Sequence, residues 1–171
     1  MVTGGSLGAR RINLAIAELA PRIVAEGWQI LHITGARDAG LVASASPGHV
    51  VVEYCDNMSD ALAVASLMVS RAGSSTLAEI TALGIPSVLV PYATGNGEQE
   101  LNAGPVVAAG GAILLRHARL TAENLWAALQ PLLANRETRG AMGAAAASVG
   151  TREGAARTVD LIGEALTQSL R

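Results

Sequence analysis

Apolar residues along the chain alternate between two patterns, a helical stripe and a short unbroken run. From Ala9 to about Ala25, Ile12, Ile16, Leu19 and Ile23 fall on one helical face, and Gly27 ends the segment. Trp28–Thr34 reads as a strand, Gly35 as a turn, Asp38–Ala43 as a short helix and Val50–Tyr54 as another strand. A helix over Asn57–Ala65, capped by Asp56 or Ser59, precedes a strand at Leu67–Ser70 and a helix at Thr76–Leu83. Pro86 leads into Ser87–Tyr92, an apolar run of the kind buried on both faces of a parallel sheet. The helix predicted over Glu98–Ala109 carries Pro105 and should be kinked or broken there. Ala112–Leu115 is a further strand, and Thr121–Ala134, Glu137–Ser148 and Thr151–Leu170 complete the chain as helices. With the stub Met1–Thr3 this makes about six strands alternating with helices across glycine-rich joints. The pattern predicts an α/β fold, a doubly wound parallel sheet with helices on both faces and right-handed crossovers.

Composition narrows the classes this fold can serve. The 171 residues suit a single domain, with a helical tail over about 121–171. Half the residues are hydrophobic and 15% are charged, a globular rather than a disordered balance. Phe is absent and aromatics reach only 2%, which disfavours a base-stacking platform. The net charge is −2 with no basic block, so the expectation is no nucleic-acid partner. All 12 basic residues are Arg, in keeping with a GC-rich coding bias. A single Cys, Cys55, excludes an internal disulfide and a multi-cysteine metal site. No apolar run approaches the roughly 18 residues of a membrane span and no leader is evident, so a cytoplasmic protein is expected. Only Met1, Val2 and Thr3 precede the first glycines, short for a central strand, so the chain is expected to start inside a longer one.

Ligands of open parallel sheets bind outside the carboxyl ends of the strands, and four segments at such ends carry suitable chemistry. Gly4–Ala9 (GGSLGA) joins a strand to a helix. Gly5, Ser6, Leu7 and Gly8 there offer backbone N–H groups, a hydroxyl and a helix start, a candidate phosphate cradle. Its glycine spacing is neither the dinucleotide fingerprint nor a Walker A loop. Arg71–Glu79 repeats the arrangement with Gly73, Ser74, Ser75 and Thr76. Thr76 and Glu79 also fit a capping box, which needs no ligand, whereas Glu79 alternatively suits the two hydroxyls of a ribose. Tyr54–Met58, with Cys55 and Met58, follows another strand and offers backbone groups to a base edge, or is simply a capped helix start. In Gly95–Asn102, Gln99 and Asn102 share a helical face, and their amides suit sugar hydroxyls.

Taken in order, GGSLGARRIN, YCDNM, SRAGSSTLAEITALGIPSVLVP and GNGEQELNA resemble the C-terminal, donor-binding domain of the MurG family of glycosyltransferases. The resemblance covers Met1 to about Leu115 most strongly. It implies one Rossmann-like half of the two-domain GT-B fold, with the active site in the cleft facing an N-terminal acceptor domain that this chain lacks. The implied reaction is inverting transfer of N-acetylglucosamine from UDP-N-acetylglucosamine to lipid I, giving lipid II for peptidoglycan, by a protein peripheral on the inner face of the cell membrane. Carried over by position, Ser6 would meet a phosphate, Cys55 would offer its backbone to uracil and Met58 would lie near the base. Ser74, Ser75 and Thr76 would line the diphosphate and sugar, and Glu79 would hold the ribose. Glu98, Gln99 and Asn102 would meet the sugar hydroxyls, although Glu98 departs from a Gln-Gln form of the motif.

No D-x-D sequence is present, so no metal is implied and no cofactor is expected. None of His32, His49 and His117 is placed to act as general base; that base and the membrane-facing lipid acceptor site would belong to the N-terminal domain. The isolated chain would then bind donor without turning it over. Three other readings stay open: the donor subunit of a split glycosyltransferase, half of a UDP-N-acetylglucosamine 2-epimerase, and a dinucleotide-dependent oxidoreductase domain.

Overall fold

Successive strand residues point to opposite faces of a sheet, and here they feed two separate cores. The computed structural model describes residues 1–5, 8–43, 47–92 and 97–169. Its strands are β1 (Val2–Thr3), β2 (Ile30–Ile33), β3 (His49–Val52), β4 (Met68–Ser70), β5 (Ser87–Leu89) and β6 (Ala112–Leu114). All pair in parallel in the order β3-β2-β1-β4-β5-β6. Val69 and Val88 enter one core with Ile12, Ile16 and Ile23 of α1 (Arg10–Ala25) and Leu125, Leu129 and Leu132 of α5 (Ala122–Ala134). Their neighbours Met68 and Leu89 enter the other, with α2 (Met58–Ala63), α3 (Ser74–Leu83), α4 (Glu98–Ala108) and Ala146 of α6 (Arg136–Val149). The doubly wound α/β fold expected from the hydrophobic pattern is therefore the one observed.

The last helix, α7 (Gly154–Ser169), projects from this body with Val159, Leu161, Ile162 and Leu166 exposed. No helix among the described residues is long and apolar enough to cross a membrane.

Several boundaries differ from expectation for local reasons. The strand expected from Trp28 starts at Ile30, because the Trp28 amide still donates to Ile23 O in the closing turn of α1. The helix expected over Asp38–Ala43 is only a 3-10 turn at Ala36–Asp38. Neither Asp56 nor Ser59 caps α2; its N-cap is Asn57, with no side-chain cap bond. The helix carrying Pro105 is continuous, since an exposed proline forfeits one backbone bond and its ring faces solvent. Pro21 and Pro131 are accommodated inside α1 and α5 in the same way.

Topology decides which loops meet. The connection out of β1 runs to β2 on one side, and that out of β4 to β5 on the other, so the strand order reverses between β1 and β4. A crevice at such a switch point is the usual ligand site of an open sheet. The chain from β3 to β4 crosses β2 and β1, and this lays α2 beside α3.

Candidate functional site

Two helices, α1 and α3, begin at the switch point, and neither start has a side-chain cap. The N-cap of α1 is Ala9 and that of α3 is Gly73. The same holds for Asn57 before α2 and Gly97 before α4. By contrast, α5 and α6 are capped by Thr121 and Asn135, whose side-chain oxygens accept from the amides of Asn124 and Thr138 at 3.1 Å. Unpaired first-turn N–H groups carry the positive end of the helix dipole and suit an anion.

Gly73 sharpens the point. Its φ of −69° and ψ of 148° are open to any residue, and a Cβ there would meet nothing within 4 Å. Ser, Thr, Asp or Asn would satisfy the orphan N–H groups better at such a position. A glycine that the fold does not require leaves the α3 start open to a ligand.

The glycine loop is different, because its backbone conformation favours glycine and Gly8 has no room for a side chain. Gly5 and Gly8 have φ of 84° and 85°, and the Gly8 amide donates to Gly5 O at 2.9 Å. A Cβ on Gly8 would lie 2.4 Å from Thr34 O and 2.9 Å from Asp38 Oδ2, so the backbone itself is seated against these oxygens. Ser6 and Leu7, named as phosphate contacts, lie outside the described residues.

The remaining candidates are placed unevenly. Helix α3 starts at Ser74, so Thr76 lies within its first turn and the Thr76–Glu79 capping box does not form. Glu79 is exposed one turn further on, with no hydrogen bond or ion pair among the described residues, free for a ligand. Ser74 and Ser75 are exposed and Thr76 is half-buried. Cys55 is a half-buried free thiol before α2, and Met58 packs its side chain against the second core. Glu98 is exposed at the start of α4. Gln99 is already engaged: its Oε1 accepts from the Tyr92 amide at 2.9 Å, leaving its NH2 as the available donor. Asn102 is half-buried on the same helix, while Gly95 and Asn96 fall outside the described residues.

A second group was not legible as part of the site. Arg71, following β4, donates from Nη1 to Val90 O and Pro91 O at 3.2 Å and lies over the Tyr92 ring at 5.2 Å. Burial lowers its pKa from the ordinary arginine value, with Tyr92 opposing and Arg11 adding to the effect. Arg11, in the first turn of α1, donates to His117 O and Leu120 O at 2.7 Å and contacts His117 Nδ1 at 3.1 Å. His117 is held below its ordinary pKa by burial, then by Arg11 and Arg71. Arg71 ties the loop after β4 to the one after β5, and Arg11 ties the start of α1 to the loop after β6. His32 and His49 lie in the core, with the Asn13 and Asp38 side chains. No group of three or more His, Cys, Asp and Glu with metal-binding placement occurs among the described residues.

The fold and the two helix starts define a doubly wound α/β domain with uncapped helix N-termini at its switch point. The chain belongs to the glycosyltransferase family 28 C-terminal domain family, whose model matches residues 1–158. Among curated relatives, it is 51% identical over 166 residues to a UDP-N-acetylglucosamine--N-acetylmuramyl-(pentapeptide) pyrophosphoryl-undecaprenol N-acetylglucosamine transferase of Leifsonia xyli subsp. xyli, covering 95% of this chain and 45% of that protein. A protein of the same name from Streptomyces coelicolor is 42% identical over 174 residues, covering 100% of this chain and 48% of its own length. Among solved structures, Acinetobacter baumannii MurG matches with a TM-score of 0.77 at 27% identity, over 95% of this chain and 48% of that one. CalG4, the calicheamicin glycosyltransferase, matches with a TM-score of 0.75 at 19% identity, a likeness of fold alone, over 99% of this chain and 43% of that one. The chain thus spans about half the length of the curated relatives it matches.

Proposed function

We propose that this chain is the donor-binding half of an inverting N-acetylglucosaminyltransferase that uses UDP-N-acetylglucosamine and a lipid-linked muramoyl-pentapeptide acceptor. The observation that carries the reading is the pair of uncapped helix starts, α1 behind its glycine loop and α3 behind Gly73, one on each face of the sheet after the adjacent strands β1 and β4. During transfer the acceptor hydroxyl attacks the anomeric carbon and the diphosphate leaves with growing negative charge. Preorganised N–H groups at these two starts are suited to that charge, and they need no reorganisation as it develops.

The other roles are carried over from the motif resemblance, position by position. Gly5, Ser6, Leu7 and Gly8 hold the phosphates on one side, and Gly73, Ser74, Ser75 and Thr76 on the other. Glu79 takes the ribose hydroxyls. The backbone at Cys55 and the side chain of Met58 bound the base pocket, brought toward α3 by the β3-to-β4 crossing. Glu98, the Gln99 amide NH2 and Asn102 face the sugar. His32 and His49 are buried and His117 is held against the Arg11 guanidinium, so the general base and the acceptor site, with any membrane contact, are assigned to a partner domain. A cytoplasmic location at the inner membrane surface is part of the same reading.

Calorimetric titration of the chain with UDP, UDP-N-acetylglucosamine and NAD tests it. Binding of the two uridine ligands with no turnover of lipid I is expected. Preference for NAD would favour the oxidoreductase alternative and defeat the proposal.

A further inference from the structure

Four polar side chains are buried in a line beneath the glycine loop. His32 and Asn13 are 0% exposed, His49 1% and Asp38 4%. Asn13 Nδ2 donates to Thr34 O at 2.9 Å and to Asp38 Oδ2 at 2.8 Å. His32 Nε2 lies 3.0 Å from Asn13 Oδ1, and His32 Nδ1 lies 3.1 Å from His49 Nε2. An apolar set of the same volume would fill this space at lower desolvation cost, so the polar chain calls for another explanation.

The chemistry of the groups fixes the direction of every bond. The Asp38 carboxylate and the Thr34 carbonyl only accept, so the Asn13 amide must turn its NH2 toward them and its oxygen toward His32. That oxygen only accepts, so His32 carries its proton on Nε2. A neutral His32 then accepts at Nδ1, and His49 donates from Nε2. Donation therefore runs one way, from His49 through His32 and Asn13 to Asp38 and Thr34. A second proton on His32 would face the His49 N–H head-on; burial, His49 and the chain N-terminus accordingly lower the His32 pKa to about 4.

The line ends on the two oxygens that seat Gly8, namely Thr34 O and Asp38 Oδ2. One amide, Asn13, holds both. It lies one turn into α1, with its backbone N–H on Ala9 O at 2.9 Å. The geometry points to Asp38, Asn13, His32 and His49 as positioning residues that set the aim of the glycine loop and the first N–H groups of α1 at the ligand's phosphates. This rests on the donor-binding reading above and extends it to residues that touch no ligand.

The test titrates the full chain with UDP, comparing the parent with Asp38→Ala and Asp38→Asn. The amide of Asp38→Asn still offers Asn13 an acceptor in the same place, whereas alanine offers none. Asp38→Ala is expected to lose about tenfold or more in affinity while its circular dichroism is unchanged, with Asp38→Asn staying within about threefold of the parent. Parent-like binding by Asp38→Ala overturns the inference, and so does equal loss in both variants, which would mark a charge effect. A parent that binds no UDP overturns the donor reading and this inference with it. Should Asp38→Ala fail to fold, imidazole nitrogen NMR of the parent decides. Both His32 and His49 should carry their protons on Nε2, and their ring resonances should shift as UDP saturates. A proton on His32 Nδ1, or rings indifferent to UDP, overturns the positioning chain.

Discussion

Gly5 and Gly8 share a left-handed backbone conformation, yet they answer to different constraints. Gly5 has open space where a Cβ would go, so Gly5→Ala should cost only the conformational penalty of about 1 to 2 kcal/mol. Gly8 is also pressed against Thr34 O and Asp38, so Gly8→Ala should cost about 3 kcal/mol or more and disturb the Asn13 amide as well. Urea titration of the two variants checks the order. Glu79 offers the complementary case. Because α3 begins at Ser74, Glu79 does no capping, and its exposed carboxylate supports no described contact. Glu79→Ala should leave the melting temperature within about 2 °C of the parent while weakening UDP binding about tenfold, the worth of a charged hydrogen bond to a hydroxyl. A loss of stability without loss of affinity would return Glu79 to a structural role.

At the scale of elements, the contrast between capped and uncapped helices separates stability from binding. Thr121→Ala should cost α5 about 1 kcal/mol, read by thermal melting, with UDP affinity unchanged. Gly73→Asp should do the reverse. The carboxylate would accept from the orphan N–H groups and complement the dipole, raising stability by about 0.5 to 1 kcal/mol. It would also occupy the anion position and weaken UDP binding about tenfold or more. Unaltered affinity in Gly73→Asp would mean that the α3 start holds no phosphate. These elements also show what the amino-acid order does and does not reveal. The α1 stripe of Ile12, Ile16, Leu19 and Ile23 is legible because one core face dictates its period, and it is the face that α1 buries. The start of α3 is not, because Thr76 and Glu79 satisfy a local capping pattern while the helix begins where β4 and Gly73 deliver the chain. His32 and His49 read singly only as histidines not placed to act as general base, and both are buried in the core. Their partnership depends on strand register: His49 lies opposite Ile30, two residues from His32, so both rings fall on the α1 face as a diagonal pair. Sequence spacing carries no register, and so the chain from His49 to Asp38 was out of its reach.

For the whole molecule, the same buried chain makes stability depend on acidity. His32 has its pKa lowered from 6.5 to about 4 by burial, by His49 on β3 and by the N-terminal amine of Met1. His49 is lowered too, by burial. A histidine that is harder to protonate when folded binds fewer protons in the native than in the unfolded chain between those two values. Stability is therefore complete above about pH 6.5 and falls as pH drops toward 4, by about 3 kcal/mol for His32 alone if the shift is fully expressed. Carboxylates titrate over the lower part of this range as well, so the parent's acid lability by itself would not identify the histidine. The variant His32→Gln isolates it. A glutamine amide can donate to Asn13 Oδ1 and accept from His49, preserving the direction of donation, but it cannot take up a proton. Urea midpoints of parent and variant, compared from pH 7.5 to 4.5, should converge as the pH falls or cross in favour of the variant. A constant difference across the range would mean that His32 does not titrate on unfolding, and that the lowered pKa plays no part in the stability of the fold.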